Sequence, residues 1–363
     1  MSALTRHPGP TSTASPVAAV RERDGRIDAA KALAIVLVVL GHAKGIPQAF
    51  TILVYSFHVP MFFVLSGWVA AAYGAPAGAR VDVVKLARTL LLPYLCFFVL
   101  GYIYWLLTRH IGEKAQRWGD LPWWDPLLGL VTGSGPRLYV QPALWFLPAL
   151  FVTTLAYLYL RRRIAAVVLA AGTLLLAWAW AQWFPGAQLR LPFALDVLPI
   201  ALFFFAAGAL LAGRGWLLPA TPAGNAVGIA VLGLPWLVLA WRNGRVDVNM
   251  LQFGQSSAVF LAVSLLGTAM ALCAARLIAR WPGVQWIGRN TLLILCTHIL
   301  VFFVLSGVAS LLGWFGPGGK PGLGWALFVS AFALAASVPL RMLLMRFAPW
   351  SLGARSAARG KTI

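Results

Sequence analysis

Residues 26–68 read RIDAAKALAIVLVVLGHAKGIPQAFTILVYSFHVPMFFVLSGW. Two apolar runs meet there across a short polar turn. Each carries one histidine beside that turn, His42 and His58, and the first run carries a cation, Lys31, eleven positions before His42. Apolar runs of this length read as helices that cross a bilayer, because in lipid the backbone must satisfy its own hydrogen bonds.

The rest of the chain has the same character. Of 363 residues, 61% are hydrophobic and 10% are charged, against about 25% charged in a soluble domain. That balance excludes an ordinary soluble globule. Ten apolar segments fall at roughly 29–46, 50–73, 87–107, 142–160, 164–184, 193–213, 226–241, 254–277, 289–312 and 323–346. Each is near the ~20 residues a spanning helix needs, with 226–241 short. The expected fold is therefore all-α, a polytopic membrane helix bundle of about ten transmembrane helices. Residues 26–348 read as one membrane domain. Residues 1–25 are rich in Pro, Ser, Thr and Arg without an early apolar core, so a disordered cytoplasmic tail is expected there rather than a cleaved signal peptide. Residues 349–363 read as a basic cytoplasmic tail.

The formal charge is +20, from 29 Lys and Arg against nine Asp and Glu. The basic residues sit mainly in connections and at segment ends. With the N-terminus inside, 19 of them face the cytoplasm, nine face outside, and Lys31 lies within the first helix. The positive-inside rule accounts for that asymmetry and puts both termini in the cytoplasm; nucleic-acid binding does not account for it, and no nucleic-acid partner is expected. Cys96, Cys273 and Cys296 all lie in apolar segments without metal-ligand spacing and read as small buried hydrophobes. No metal or bound cofactor is suggested. The longest connection, 108–141, holds Trp123-Trp124, a short apolar piece at 127–131 and Gly133-Ser134-Gly135-Pro136. It reads as an interfacial segment or partial lid; a plain long loop and a dip of 124–140 into the membrane are the alternatives.

Titratable groups inside spans are costly and mark function. Here they are Lys31, His42, His58, Asp196 and His298. Eleven residues rise about 16 Å and turn by about 11 × 100°, which returns Lys31 and His42 to one helix face. His42, His58 and Asp196 fall at similar depth in the outer half of their helices, and His298 lies near the middle of its own. One membrane histidine bonded across helices is ordinary; two at one depth beside a buried lysine point to chemistry. A neutral imidazole takes the proton of a hydroxyl as it attacks an acyl carbonyl, and a carboxylate such as Asp196 would hold the imidazole's tautomer. Asp28, three residues before Lys31, pairs with it or caps the first helix. Lys85 and Arg88 either bind donor phosphates or anchor the third helix.

These residues resemble the acyltransferase-3 family of integral membrane acyltransferases, in particular its fucose 4-O-acetylase-like branch. The family mark is a basic residue, ten residues, then His, here Lys31 to His42 within KALAIVLVVLGH. Lysine stands where arginine is usual, and it lacks the planar fork. Phe57-His58-Val59-Pro60-Met61-Phe62-Phe63-Val64-Leu65-Ser66-Gly67 is similar to the family's second helix. Lys85-Leu86-Ala87-Arg88 before Pro93-Tyr94, Leu144-Trp145-Phe146-Leu147, Asp196 with Phe203-Phe204-Phe205 and Gly208, and Ile287-Gly288-Arg289-Asn290-Thr291-Leu292 to His298 follow in family order.

The resemblance implies transfer of an acyl group, often acetyl, from cytoplasmic acyl-CoA as cosubstrate to a hydroxyl of a carbohydrate, glycolipid or other envelope molecule, in a bacterial inner membrane. His42 is the implied catalytic residue, with His58 and Asp196 in support or on the acceptor. Lys31 and Arg88 would meet the donor and His298 would line its channel. Direct transfer and an acyl-histidine intermediate both fit. A transporter or flippase of envelope-glycan precursors is the rival reading, against which the chain shows no inverted repeat and Asp196 as its one obvious intramembrane carboxylate. An intramembrane hydrolase would need paired aspartates or HExxH, which the sequence lacks.

Overall fold

The computed structural model describes residues 24–74, 81–111, 113–133, 135–213, 219–315 and 319–354. The tail expected over 1–25 lies outside them up to residue 23, as does the basic tail from residue 355. The chain runs α1 (Gly25–His42), α2 (Gln48–Tyr55), α3 (His58–Tyr73), α4 (Val83–Thr108), α5 (Glu113–Trp118), α6 (Asp125–Thr132), α7 (Phe146–Leu160), α8 (Ala166–Trp183), α9 (Leu198–Gly213) and α10 (Pro222–Asn243). A small hairpin, β1 (Val246–Asp247) paired antiparallel with β2 (Gln252–Phe253), precedes α11 (Ser257–Ile278), α12 (Pro282–Arg289), α13 (Thr291–Leu311) and α14 (Leu323–Phe347). Side chains cap several starts: Asp24 accepts from Arg26 N, Asp82 from Lys85 N, Thr221 from Gly224 N and Ser256 from Val259 N, which satisfies N–H groups a helix cannot.

The all-α expectation holds. Among the described residues nine helices are long and apolar enough to cross a membrane, with α2 and α3 forming one of them. The tenth segment of the sequence reading is α1. It has 18 residues but carries Arg26, Asp28 and Lys31, so it stands outside that set. Asp28 is buried and pairs with Arg289 of α12 at 3.4 Å.

The span that contains α9 is the most enclosed, 72% buried, while α10 is 11% buried. An apolar helix buried all round is a core helix, and one so exposed turns its side chains to lipid. The tightest pair is α3 with α9. Gly67 lies against the Phe205 carbonyl and Gly208 against the Val64 carbonyl, so that a Cβ at either would sit 1.9 Å from oxygen. Small residues allow backbones in lipid to approach this closely.

Two features depart from simple spans. The run read as 50–73 breaks at Ser56-Phe57, between α2 and α3. Neighbouring helices stabilise the break: Ser264 Oγ donates to the Ser56 carbonyl at 2.7 Å and Trp236 Nε1 to Ser56 Oγ at 3.1 Å, the condition under which broken helices survive in lipid. Connection 108–141 packs back along α4. Tyr102 Oη donates to the Trp123 carbonyl at 2.9 Å and Tyr94 Oη to the Leu130 carbonyl at 2.7 Å. Tyr94 is eleven residues into α4, about 16 Å from its start, so α6 descends to mid-depth beside it. Gly133, at φ 61°, turns the chain back. The return leg buries Leu138, Val140 and Gln141, and Gln141 Nε2 donates to the Cys296 carbonyl at 2.9 Å. Residues 124–140 therefore dip into the bundle between α4 and α13.

Candidate active site

Lys31, Ile35, Val38 and His42 form one stripe on α1, at steps of four, three and four residues. All four line a cavity of about 220 Å³. Opposite them stand His58, Phe62, Leu65 and Ser66 of α3 and Thr291, Leu292 and Leu295 of α13. Thr89 and Leu90 of α4 and the residues around Trp145 and Phe146, where the return leg of the dip enters α7, complete the wall. The structure thus brings Lys31, His42 and His58 to one cavity, as the sequence arithmetic expected.

The histidines are oriented by backbone. Nδ1 of His42 lies 2.8 Å from the Val38 carbonyl, that of His58 2.8 Å from the Val54 carbonyl, and that of His298 2.9 Å from the Ile294 carbonyl. A carbonyl only accepts, so in each ring Nδ1 carries the hydrogen and Nε2 keeps its lone pair. His298, wholly buried, directs Nε2 toward Nδ1 of His42 at 3.5 Å, with ring centroids 5.2 Å apart. The single hydrogen of His42 Nδ1 goes to the Val38 carbonyl at 2.8 Å, and the His298 lone pair lies beside that nitrogen at the longer distance. A proton gained at His42 Nε2 would place positive charge between two acceptors, the Val38 carbonyl and His298. His298 is not among the cavity-lining residues and packs against the His42 ring. Tyr55 packs edge-on to His58 at 4.8 Å and donates to the Gly41 carbonyl at 3.2 Å.

Asp196 does not join these rings. Its carboxylate is wholly buried and bonded by Arg190 Nε at 2.5 Å, and Arg190 also donates to the Asn249 carbonyl at 2.8 Å. The tautomer role expected of Asp196 falls instead to the carbonyls of Val38, Val54 and Ile294. Equal depth along a helix does not fix which neighbour a side chain faces, and Arg190 in the preceding connection takes this one. Arg88 is not among the cavity-lining residues; it follows the turn after α14, donating to the Ala354 carbonyl at 3.5 Å, while its neighbour Thr89 reaches the cavity. Ser66 and Thr291 are cavity residues that the motif reading quoted without a role. Among the described residues no three His, Cys, Asp or Glu come together as a metal site requires.

Beyond the end of α1, Lys114 of α5 holds α4 and α13. Its Nζ donates to Tyr104 Oη and Thr108 Oγ1, both at 3.0 Å, and lies over the Tyr104 ring at 4.1 Å and the Phe303 ring at 5.6 Å. Burial, then the charge of Lys44, lowers its pKa to about 8. A lysine with a depressed folded pKa binds fewer protons folded than unfolded between pH 8 and its ordinary value near 10.4. Stability is therefore expected to rise with pH across that interval and to be flat in this respect below it. Melting temperature against pH measures this, with Lys114→Met expected to remove the rise; an unchanged slope in that variant would refute the assignment.

A family model described as an acyltransferase domain matches residues 24–342. No curated protein and no solved structure matches the chain.

Proposed function

The chain belongs to the acyltransferase-3 family and is a multi-pass membrane acyltransferase, and from that premise we propose that it carries an acyl group, specifically acetyl, from cytoplasmic acyl-CoA to a hydroxyl of a sugar, glycolipid or other cell-envelope molecule. The observation that carries this reading is the cavity running from Lys31 to His42 and His58. Within the family we place it in the fucose 4-O-acetylase-like branch, on the stretch Phe57–Gly67. We place it in a bacterial inner membrane with the Lys31 end of the cavity cytoplasmic, on the distribution of Lys and Arg.

His42 acts as general base. Its Nε2 takes the proton of the acceptor hydroxyl as the oxygen bonds to the acyl carbon. The carbon–sulfur bond then breaks, and the proton on Nε2 passes to the departing thiolate. Lys31 meets an anionic part of the donor, Arg88 stands at the outer edge of that mouth, and His58 faces the acceptor. Asp196 serves by fixing the connection before α9.

The test uses the purified protein in sealed vesicles with radiolabelled acetyl-CoA and an envelope-glycan extract. Label in the glycan with wild type and none with His42→Ala is expected. Equal label from a properly folded His42→Ala would remove His42 from the mechanism. Movement of glycan across the vesicle without label would return the transporter reading.

A further inference from the structure

Three helices present the same polarity to the cavity. α1 has Lys31 at one end and His42 at the other; α3 has Ser66 and His58; α13 has Thr291 and, three residues past the lining Leu295, His298. The polar and histidine ends are eleven, eight and seven residues apart, about 16, 12 and 10 Å along the three helices. Between the ends the wall is apolar, with Ile35, Val38, Phe62, Leu292 and Leu295.

Neither hydroxyl is taken up by its own helix. A helical Ser or Thr in lipid ordinarily bonds back to its own backbone. Thr89, Thr153, Thr154, Thr173 and Thr297 do so, each to the carbonyl four residues before it at 2.7–2.8 Å. Ser66 and Thr291 make no such bond among the described residues, nor do the buried Thr268 and Ser330, but of these four Ser66 and Thr291 are the two that border the cavity. A hydroxyl is both donor and acceptor, so the pair offers hydrogen bonds to whatever lies in an otherwise apolar passage.

We infer that Ser66 and Thr291 hold the carrier arm of the acyl donor, an extended chain of amides and hydroxyls, while its thioester rests at His42. This deepens the acyl-transfer reading and rests on it. An arm amide entering the passage leaves water, and each N–H or C=O then needs a partner there. The three helices supply the match: polar groups where the arm is polar, apolar wall along its methylenes, histidines where the thioester reacts. Lys31, at the same end, completes the ring where the arm gives way to phosphate. Ser66 and Thr291 are positioning residues; neither touches the reacting carbon.

The test uses the full chain in vesicles and pantetheine, the arm without nucleotide or acyl group, as a competitor of acetyl-CoA. Ser66→Ala and Thr291→Val are each expected to raise the inhibition constant of pantetheine about tenfold, the loss of one hydrogen bond. The loss falls on the donor's KM more than on the rate at saturating donor, and Ser66→Thr and Thr291→Ser restore competition. An unchanged inhibition constant would overturn the inference, as would failure of pantetheine to compete in wild type or a fall in saturated rate without a change in competition. Absence of His42-dependent thioester cleavage in wild type would instead count against the acyl-transfer reading itself.

Discussion

Exchange of His42 for glutamine is expected to lower the acyl-transfer rate by about 10²–10⁴-fold, the span that a positioned general base contributes. Glutamine keeps a polar side chain at the end of α1 but cannot gain a proton at neutral pH. The site requires that gain at one atom. Nδ1 of His42 is committed to the Val38 carbonyl at 2.8 Å, which leaves Nε2 as the basic nitrogen. The acceptor of His298 at 3.5 Å then faces the charge as it forms. His298→Leu, which removes that acceptor, is expected to cost less than His42→Gln and to act on the saturated rate more than on donor affinity, because His298 lies beyond the lining residues. Initial rates with labelled donor, beside melting curves that establish folding, measure both. A His42→Gln rate within tenfold of wild type would refute the base assignment.

The extent to which this site was legible in the sequence differs by residue, for physical reasons. Helix periodicity is a property of the chain alone, so the spacing of Lys31 and His42 gave a shared face, and both line the cavity. His58 followed because α3 returns beside α1. Asp196 was placed by depth and by the family resemblance, and depth is silent about azimuth. Its partner Arg190 reads in sequence as an ordinary outside cation, yet it bonds the carboxylate. The break at Ser56-Phe57 had its signal in Pro60, which has no N–H for the Ser56 carbonyl four residues before it; Ser264 and Trp236, some two hundred residues later, hold it. The descent of α6 was hidden for another reason. Its eight residues are too few to register as a span, and only the hydroxyls of Tyr94 and Tyr102 show how far down it reaches. Ser66 and Thr291 lay inside recognised motifs, but a hydroxyl's importance here depends on which backbone bonds it forgoes.

The strongest stability effect is expected at the crossing of α3 and α9. Gly208→Val would force a branched side chain into a place where even a Cβ lies 1.9 Å from the Val64 carbonyl oxygen, and Gly67→Val would do the same against Phe205. Overpacking in a filled interior costs about 1–3 kcal/mol and sometimes more. Here the obstructing atoms are backbone, which cannot rotate aside, so the upper end or beyond is expected. Lipid supplies no hydrophobic force to press the helices together again, since association in the membrane rests on close packing itself. The two glycines serve one interface, so the double substitution should cost less than the sum of the singles: the first opens the gap that the second would need. Gly172 of α8 is the control, because a Cβ there meets nothing within 4 Å, and Gly172→Ala should be neutral or slightly stabilising as alanine's helix preference takes effect. Thermal melts in detergent followed by size-exclusion chromatography give the comparison. A Gly208→Val protein that melts with wild type would mean that the two backbones do not approach as described. The same variant bears on function, since α3 carries His58 at one end of the cavity and Ser66 beside Gly67 at the other. Where Gly208→Ala still folds, displacement of α3 should weaken donor competition and catalysis together, whereas Ser66→Ala weakens competition more than the saturated rate.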